Sequence, residues 1–405
     1  MTPDARTPED HAPAAALGRA PTEAEKAARR EFETQFVEGA RCHGWFAMRR
    51  GLGRAIHDLC WPDPSPRRLR RPFGGRERLG QACEGIADLY RELDEKKPRL
   101  RRRGAAAEIE RVQLEIPHRL GRLRTLWGKQ RRTAPLTVLA AELAAALPAG
   151  AEPILFGSLA CEEPWPQYAD VDLGLLLGES VMSQPRLIRQ TIKAYRRNLS
   201  RLIAIDPVHH HGPFVLTPLD WGLYGEAYLP LAVLRLATTL KPKAFKIEAT
   251  LIGDRLEVLR AISRLHEGVQ RLFEDPRHLA DRYLAKSISS MVLLVPALYC
   301  GATGRPVDKR ASFDLIKGEM DEAAVAALEA VERFRLDWRA TLFPPRLIRW
   351  LAGPLAPVLG RNLNRWPDAV LGRRLDDLKP GIELIFQAVR EGLETQKPAP
   401  KDAPS

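Results

Sequence analysis

The feature that most constrains this fold is a pair of short apolar runs whose flanking motifs enclose an eleven-residue gap at 159–169. The runs cover residues 154–156 and 173–177. Gly157-Ser158 ends the first run, and Asp170-Val-Asp172 opens the second. Short apolar runs bounded by turn residues predict buried β-strands. Because alternate side chains of a strand point to the same face, the two aspartates are expected to project together.

These residue types suit a metal-dependent phosphate site. Two carboxylates held close together repel each other, and a divalent cation between them removes the repulsion. Mg²⁺ is typically held by one or two carboxylates together with phosphate oxygens and water. Gly157 allows a close backbone approach, and successive amides with the Ser158 hydroxyl can hold a terminal phosphate. The pattern therefore predicts phosphoryl or nucleotidyl transfer.

The ordered combination over residues 156–173 resembles the motif of the nucleotidyltransferase superfamily, the polymerase-beta-like fold. The resemblance implies a small mixed-sheet core that uses Mg²⁺, or Mn²⁺, and a nucleoside triphosphate such as ATP as donor. It implies that Asp170 and Asp172 are catalytic metal ligands and that Gly157 and Ser158 bind the nucleotide. It also implies a third carboxylate on a later strand.

Asp220 is the best match to that third carboxylate, because it ends a predicted extended segment over residues 213–220. It would then be both catalytic and a metal ligand; the alternative is that it caps the turn that follows. Asp206 is less favoured because it precedes Pro207 at a predicted helix end, where capping roles are common.

Two further groups of residues are candidates for contact with phosphate. Arg189 and Lys193 lie on a basic face of the helix predicted over residues 184–205, and they could bind the nucleotide or be merely solvated. His209 and His211 could contact the acceptor or a phosphate, because alternate residues of an extended chain share a face. The alternative for the histidines is an exposed polar turn.

The order of patterns along the chain predicts an α+β protein, with the nucleotidyltransferase-like core flanked by helical N-terminal and C-terminal regions. The basic region is expected to contain a helical hairpin, with helices near residues 76–95 and 105–131. The predicted parts are a flexible tail at 1–30, the basic helical region at 31–133, the catalytic domain at 134–254, a helical domain at 255–396 and a tail at 397–405.

The charge is concentrated in one region. Residues 46–133 carry 23 Lys and Arg against 11 Asp and Glu, an excess equal to the net charge of +12 of the whole chain. Such a segment could bind nucleic acid by neutralising phosphates. Clusters in predicted loops, where charge is simply solvated, are the alternative.

The five cysteines are far apart and include no C-x-x-C pair, which argues against a disulfide framework and a structural zinc site. The first twenty residues lack the basic and apolar regions of a secretory signal. The longest apolar run, Met291–Tyr299, is about half the ~20 residues that a membrane-spanning helix needs. We therefore expect a cytoplasmic protein with reduced thiols and no membrane span.

The sequence predicts an enzyme that transfers a nucleoside monophosphate from a nucleoside triphosphate to an acceptor hydroxyl and releases pyrophosphate. The acceptor, whether a small molecule, a protein or an RNA end, stays open. One alternative is a catalytically silent nucleotide-binding or scaffold protein of the same fold, which would not need both aspartates. Another is a nucleic-acid-binding adaptor that acts through residues 46–133.

Overall fold

The computed structural model describes residues 52–61, 75–103, 109–127, 133–160, 171–206, 209, 212–222, 224–225, 229–252, 255–337 and 368–395. The strands in these ranges are β1 (Ile109–Ile116), β2 (Ala151–Phe156), β3 (Asp172–Leu177), β4 (Phe214–Leu216), β5 (Thr238–Thr239) and β6 (Phe245–Ile252). The helices of the first half are α1 (52–60), α2 (Gly75–Arg103), α3 (Leu120–Trp127), α4 (Thr133–Ala146), α5 (Glu179–Met182), α6 (Pro185–Ile205), α7 (Pro218–Gly222) and α8 (Leu231–Leu236). Those of the second half are α9 (Arg255–Phe273), α10 (Pro276–Ala280), α11 (Arg282–Val292), α12 (Val295–Ala302), α13 (Lys309–Lys317), α14 (Glu322–Asp337), α15 (Ala369–Asp376) and α16 (Lys379–Thr395).

The two apolar runs form the central strands of a four-stranded sheet with the order β4-β3-β2-β5. β2 and β3 are antiparallel, and Phe156 lies opposite Asp172 in their ladder. β4 runs parallel to β3, to which the long helix α6 connects it. Every residue of β2 is buried, which explains why this strand has no polar alternation in the sequence. The mixed sheet and the many helices confirm the α+β class.

A second sheet corrects the predicted helical hairpin. Its first helix is present as α2, but residues 109–116 form β1, which pairs with β6 along its whole length. Val112, Leu114 and Ile116 alternate with polar residues, a period of two that fits a strand, and β6 supplies the partner ladder. A strand of the predicted basic region is therefore paired with the last strand of the predicted catalytic domain.

The two sheets share one apolar core. Leu114 and Ile116 of β1 pack in the same buried cluster as Ile154 and Phe156 of β2. The residues that point to the other face of the four-stranded sheet, such as Leu155 and Leu175, are also buried. Among the described residues, the sheet is thus covered on both faces.

The helices after β6 surround a core of their own, to which α9, α12 and α16 contribute Val269, Tyr299 and Phe386. Within the helical domain predicted at 255–396, Asp281 and residues 293–294 separate α10, α11 and α12 from one another. Among the described residues, the stretch Leu284–Ala302 has the length and hydropathy of a membrane span, and 67% of it is buried inside the protein.

All the described residues belong to one compact unit. The predicted tails at 1–30 and 397–405 lie outside the described residues. Cys60, Cys83 and Cys300 are buried free thiols.

Candidate functional site

The Gly-Ser turn and Asp172 meet at one end of the four-stranded sheet. Because Phe156 lies opposite Asp172, the residue after β2 passes directly beside the Asp172 carboxylate. Gly157 has a φ of 69°, in the left-handed region that glycine tolerates best. A Cβ atom on Gly157 would lie 2.1 Å from Asp172 Oδ2, so only glycine fits this approach. Ser158 follows in a single 3₁₀ turn, Gly157–Ala160.

An apolar surface lies next to this carboxylate. The Phe156 ring and the Phe214 ring of β4 are 5.2 Å apart, edge to face. They flank β3 on the two sides of Gly174, which pairs with Phe214 in β4. A Cβ on Gly174 would lie 2.7 Å from Ile154 Cγ1, so a side chain there would collide with β2. The glycine thus allows close packing beside Asp172.

Residues that lead into β4 lie at the same end of the sheet. Parallel strands start at the same edge, and Asp172 and Phe214 are the first residues of β3 and β4. We define the pre-β4 residues as Asp206, His209 and Gly212, all of which are buried.

The predicted acceptor contact His209 is enclosed rather than exposed. Its side chain is 1% exposed, and its Nδ1 lies 3.4 Å from Asp206 Oδ2. The Trp61 ring packs against the His209 ring edge to face, with centroids 5.1 Å apart. His211 lies outside the described residues.

Helix α1 closes on Gly212. The Gly212 N–H donates to His57 Nε2 over 3.1 Å, and His57 Nδ1 lies 2.9 Å from Asp58 Oδ1. These contacts fit the tautomer that carries its proton on Nδ1. A Cβ on Gly212 would lie 2.6 Å from Trp61 Cβ, so the glycine permits the helix to approach.

The comparisons with known proteins add no further residue to this site. No family model, curated protein or solved structure matches the chain. Within the described ranges, no three or more His, Cys, Asp and Glu side chains are grouped to hold a metal ion. Asp172 is the carboxylate next to Gly157 in the part of the chain that the structure describes, and Asp170 lies outside the described residues.

Asp220 does not lie with Asp172, which corrects its assignment as the third carboxylate. It sits in α7, beyond the far end of β4, and its Oδ2 accepts hydrogen bonds from the Thr217 N–H (2.7 Å) and the Thr217 hydroxyl (2.8 Å). At about 3.3 Å per residue, the length of β3 and β4 separates it from Asp172 by roughly 13 Å or more. The extended segment predicted over residues 213–220 ends at Leu216, because Pro218 starts a helix there.

The basic face of α6 points toward the N-terminal helices. Arg189 and Lys193 are half-buried and act electrostatically on the Cys83 thiol of α2. Burial raises the pKa of this thiol to about 11, and the two cations oppose that increase. These contacts place them at the packing of α6 on α2 rather than at the Gly157 turn.

Sequence reasoning missed three residues at this end of the sheet. They are His57, Trp61 and Lys286, which all contact the pre-β4 residues. The sequence does mark Lys286 as unusual, since it is a lone charged residue near the start of the apolar stretch 284–302. Such a charge predicts a buried partner.

Proposed function

We propose that this protein is a Mg²⁺-dependent nucleotidyltransferase. Asp170 and Asp172 hold the metal, and the Gly157 and Ser158 turn holds the triphosphate. The observation that supports this most directly is the approach of the Gly157 backbone to the Asp172 carboxylate. It would place a phosphate-binding turn and a metal ligand side by side, as such a reaction requires.

The chain's own groups have distinct parts in the proposed reaction. The backbone amides after Phe156 and the Ser158 hydroxyl orient the triphosphate. Bound magnesium would offset the charge of the phosphate oxygens and of the leaving pyrophosphate. The acceptor oxygen forms a bond to the α-phosphorus as the bond to the bridging oxygen of pyrophosphate breaks. The acceptor proton leaves to solvent or to a base.

Asp220 has a structural role in this proposal, because its Oδ2 accepts two hydrogen bonds from Thr217. The acceptor can still be a small molecule, a protein hydroxyl or an RNA end. The donor is tested first, since donor binding does not depend on knowing the acceptor.

Calorimetric titration with ATP, GTP, CTP and UTP, each with MgCl₂, tests the proposal. We expect one triphosphate to bind the wild-type chain and to lose at least about tenfold in affinity in Asp172→Asn, which keeps the shape but removes the charge. Asp170→Ala/Asp172→Ala should abolish binding. Asp220→Asn is the matched control, and its affinity should equal that of the wild type.

Two results would contradict the proposal. One is that no triphosphate binds the wild type in the presence of Mg²⁺. The other is that Asp172→Asn binds as tightly as the wild type. The first result would favour the nucleic-acid adaptor that acts through residues 46–133. The second would favour the catalytically silent nucleotide-binding protein, which does not need both aspartates.

A further inference from the structure

A buried ion pair joins the C-terminal helices to the end of the sheet that carries Asp172. Lys286 Nζ of α11 donates to both carboxylate oxygens of Asp206, over 3.0 and 2.9 Å. The two side chains are 1% and 3% exposed. Asp206 also faces His209 Nδ1, so one carboxylate is shared by two cation-forming groups.

Fold stability alone does not explain why an ion pair is buried here. Removing two charges from water costs several kcal/mol per ion, and apolar replacements of similar volume are often equally stable. A buried pair does, however, fix the position of the groups that it joins, because any displacement leaves a charge without its partner.

The groups held in place here are the pre-β4 residues. Asp206 ends α6, and the His209 N–H donates to the Asp206 carbonyl oxygen (3.0 Å). His57 holds the Gly212 N–H from the side of α1. Contacts from α1 and α11, both outside the predicted catalytic domain, therefore determine how the chain enters β4 beside Asp172.

We propose that Lys286 is a positioning residue for the Asp172 site. Through Asp206 it fixes His209, whose ring packs on Trp61 next to Gly212, at the end of the sheet where the nucleotide would bind. The nucleotide part of this inference rests on the proposed function, whereas the positioning of the pre-β4 residues does not.

Helix α11 also offers a matched control. Arg282, one turn before Lys286, donates to Asp368 Oδ2 over 2.6 Å. Its side chain is 12% exposed, and the contact ties α11 to the start of α15 rather than to the sheet. Arg282→Met therefore breaks an ion pair of the same helix without touching the pre-β4 residues.

The experiment compares three variants of the full chain with the wild type. They are Lys286→Met, Lys286→Met/Asp206→Asn and Arg282→Met. The double variant leaves no uncompensated buried charge, so it keeps the test valid if the single variant folds poorly. Hydrogen exchange by mass spectrometry is followed over peptides that carry His209, Gly212 and Phe214, and calorimetry measures affinity for ATP with MgCl₂.

We expect exchange at these amides to accelerate at least about tenfold in both Lys286 variants and to stay within about twofold in Arg282→Met. ATP affinity should fall at least about tenfold in the Lys286 variants only. A merely structural role predicts that the double variant regains wild-type exchange, or that Arg282→Met has the same effect; either result overturns the proposal. If the wild type binds no ATP, the proposed function fails, and the exchange rates alone decide the role of Lys286.

Discussion

The two ends of the four-stranded sheet use carboxylates in different ways. At one end, Asp172 meets the backbone of Gly157 so closely that no other residue fits there. At the other end, Asp220 accepts two bonds from Thr217, three residues away, and Glu152 accepts a bond from the Thr239 hydroxyl. The second arrangement places a carboxylate against hydroxyl and amide donors, whereas the first brings a glycine backbone against a carboxylate. The difference indicates that an aspartate at the end of a strand does not define a functional site by itself. The group that the carboxylate contacts determines whether it serves the fold or a ligand.

The sharpest test of this difference is Gly157→Ala. The new Cβ would collide with Asp172 Oδ2, and φ 69° disfavours a side chain in addition. Strain and overpacking together should lower the free energy of unfolding by roughly 2–5 kcal/mol and abolish nucleotide binding. Urea unfolding monitored by circular dichroism gives the first value, and calorimetry gives the second.

Gly304→Ala is the control for the backbone alone. Gly304 has a φ of 80°, but nothing lies within 4 Å of the position that its Cβ would take. It should cost only about 1–2 kcal/mol and leave binding unchanged. Equal losses in the two variants would mean that the contact between Gly157 and Asp172 has no special importance.

The role of Asp220 can be separated from that of Asp172 by Asp220→Ala. The substitution removes the acceptor of the Thr217 N–H and hydroxyl, so the free energy of unfolding should fall by about 1–2 kcal/mol. Metal-dependent nucleotide affinity should not change. Thermal unfolding and calorimetry on one preparation measure both quantities.

A second aspartate cap provides the comparison for that variant. Asp308 accepts from the Arg310 and Ala311 N–H groups at the start of α13, away from either end of the sheet. Asp308→Ala should cost about 1 kcal/mol and likewise leave affinity unchanged. Asp220 would be a metal ligand after all if its variant alone lost nucleotide binding.

The sequence predicted the central strands better than it predicted their surroundings. β2, β3 and α6 appear where their patterns placed them, because each is long or largely buried and bounded by turn residues. β1 was mistaken for a helix, because a short alternation between two helices is recognised as a strand only when its distant partner, β6, is known.

The contacts of the site likewise divide into those that local sequence predicts and those that depend on distant packing. The adjacency of Gly157 and Asp172 follows from local spacing, since two neighbouring strands joined by a short gap bring their facing ends together. Asp220 was misplaced because its assignment needed the direction of β4 relative to β3, which no local pattern contains. The contacts of Lys286 with Asp206 span 80 residues and depend on packing between regions.

The smallest expected effect concerns Glu152, at the end of the sheet opposite Asp172. Burial raises the pKa of this carboxyl above 4.5, and the Thr239 hydroxyl and Lys241 partly offset the increase. At pH values between the unfolded and the folded pKa of Glu152, the folded state binds more protons than the unfolded state. Glu152 therefore contributes stability at low pH that is lost as the pH rises through its folded pKa. The wild type should therefore gain stability relative to Glu152→Gln as the pH falls from 7 toward 4.5.

Urea unfolding of both proteins at several pH values measures this difference. Glu115 is an exposed glutamate paired with Lys246, and Glu115→Gln corrects for the general effect of replacing a carboxyl by an amide. A difference that does not vary with pH would show that Glu152 is as well solvated as a surface carboxyl, and that the two ends of the sheet do not differ in the way argued above.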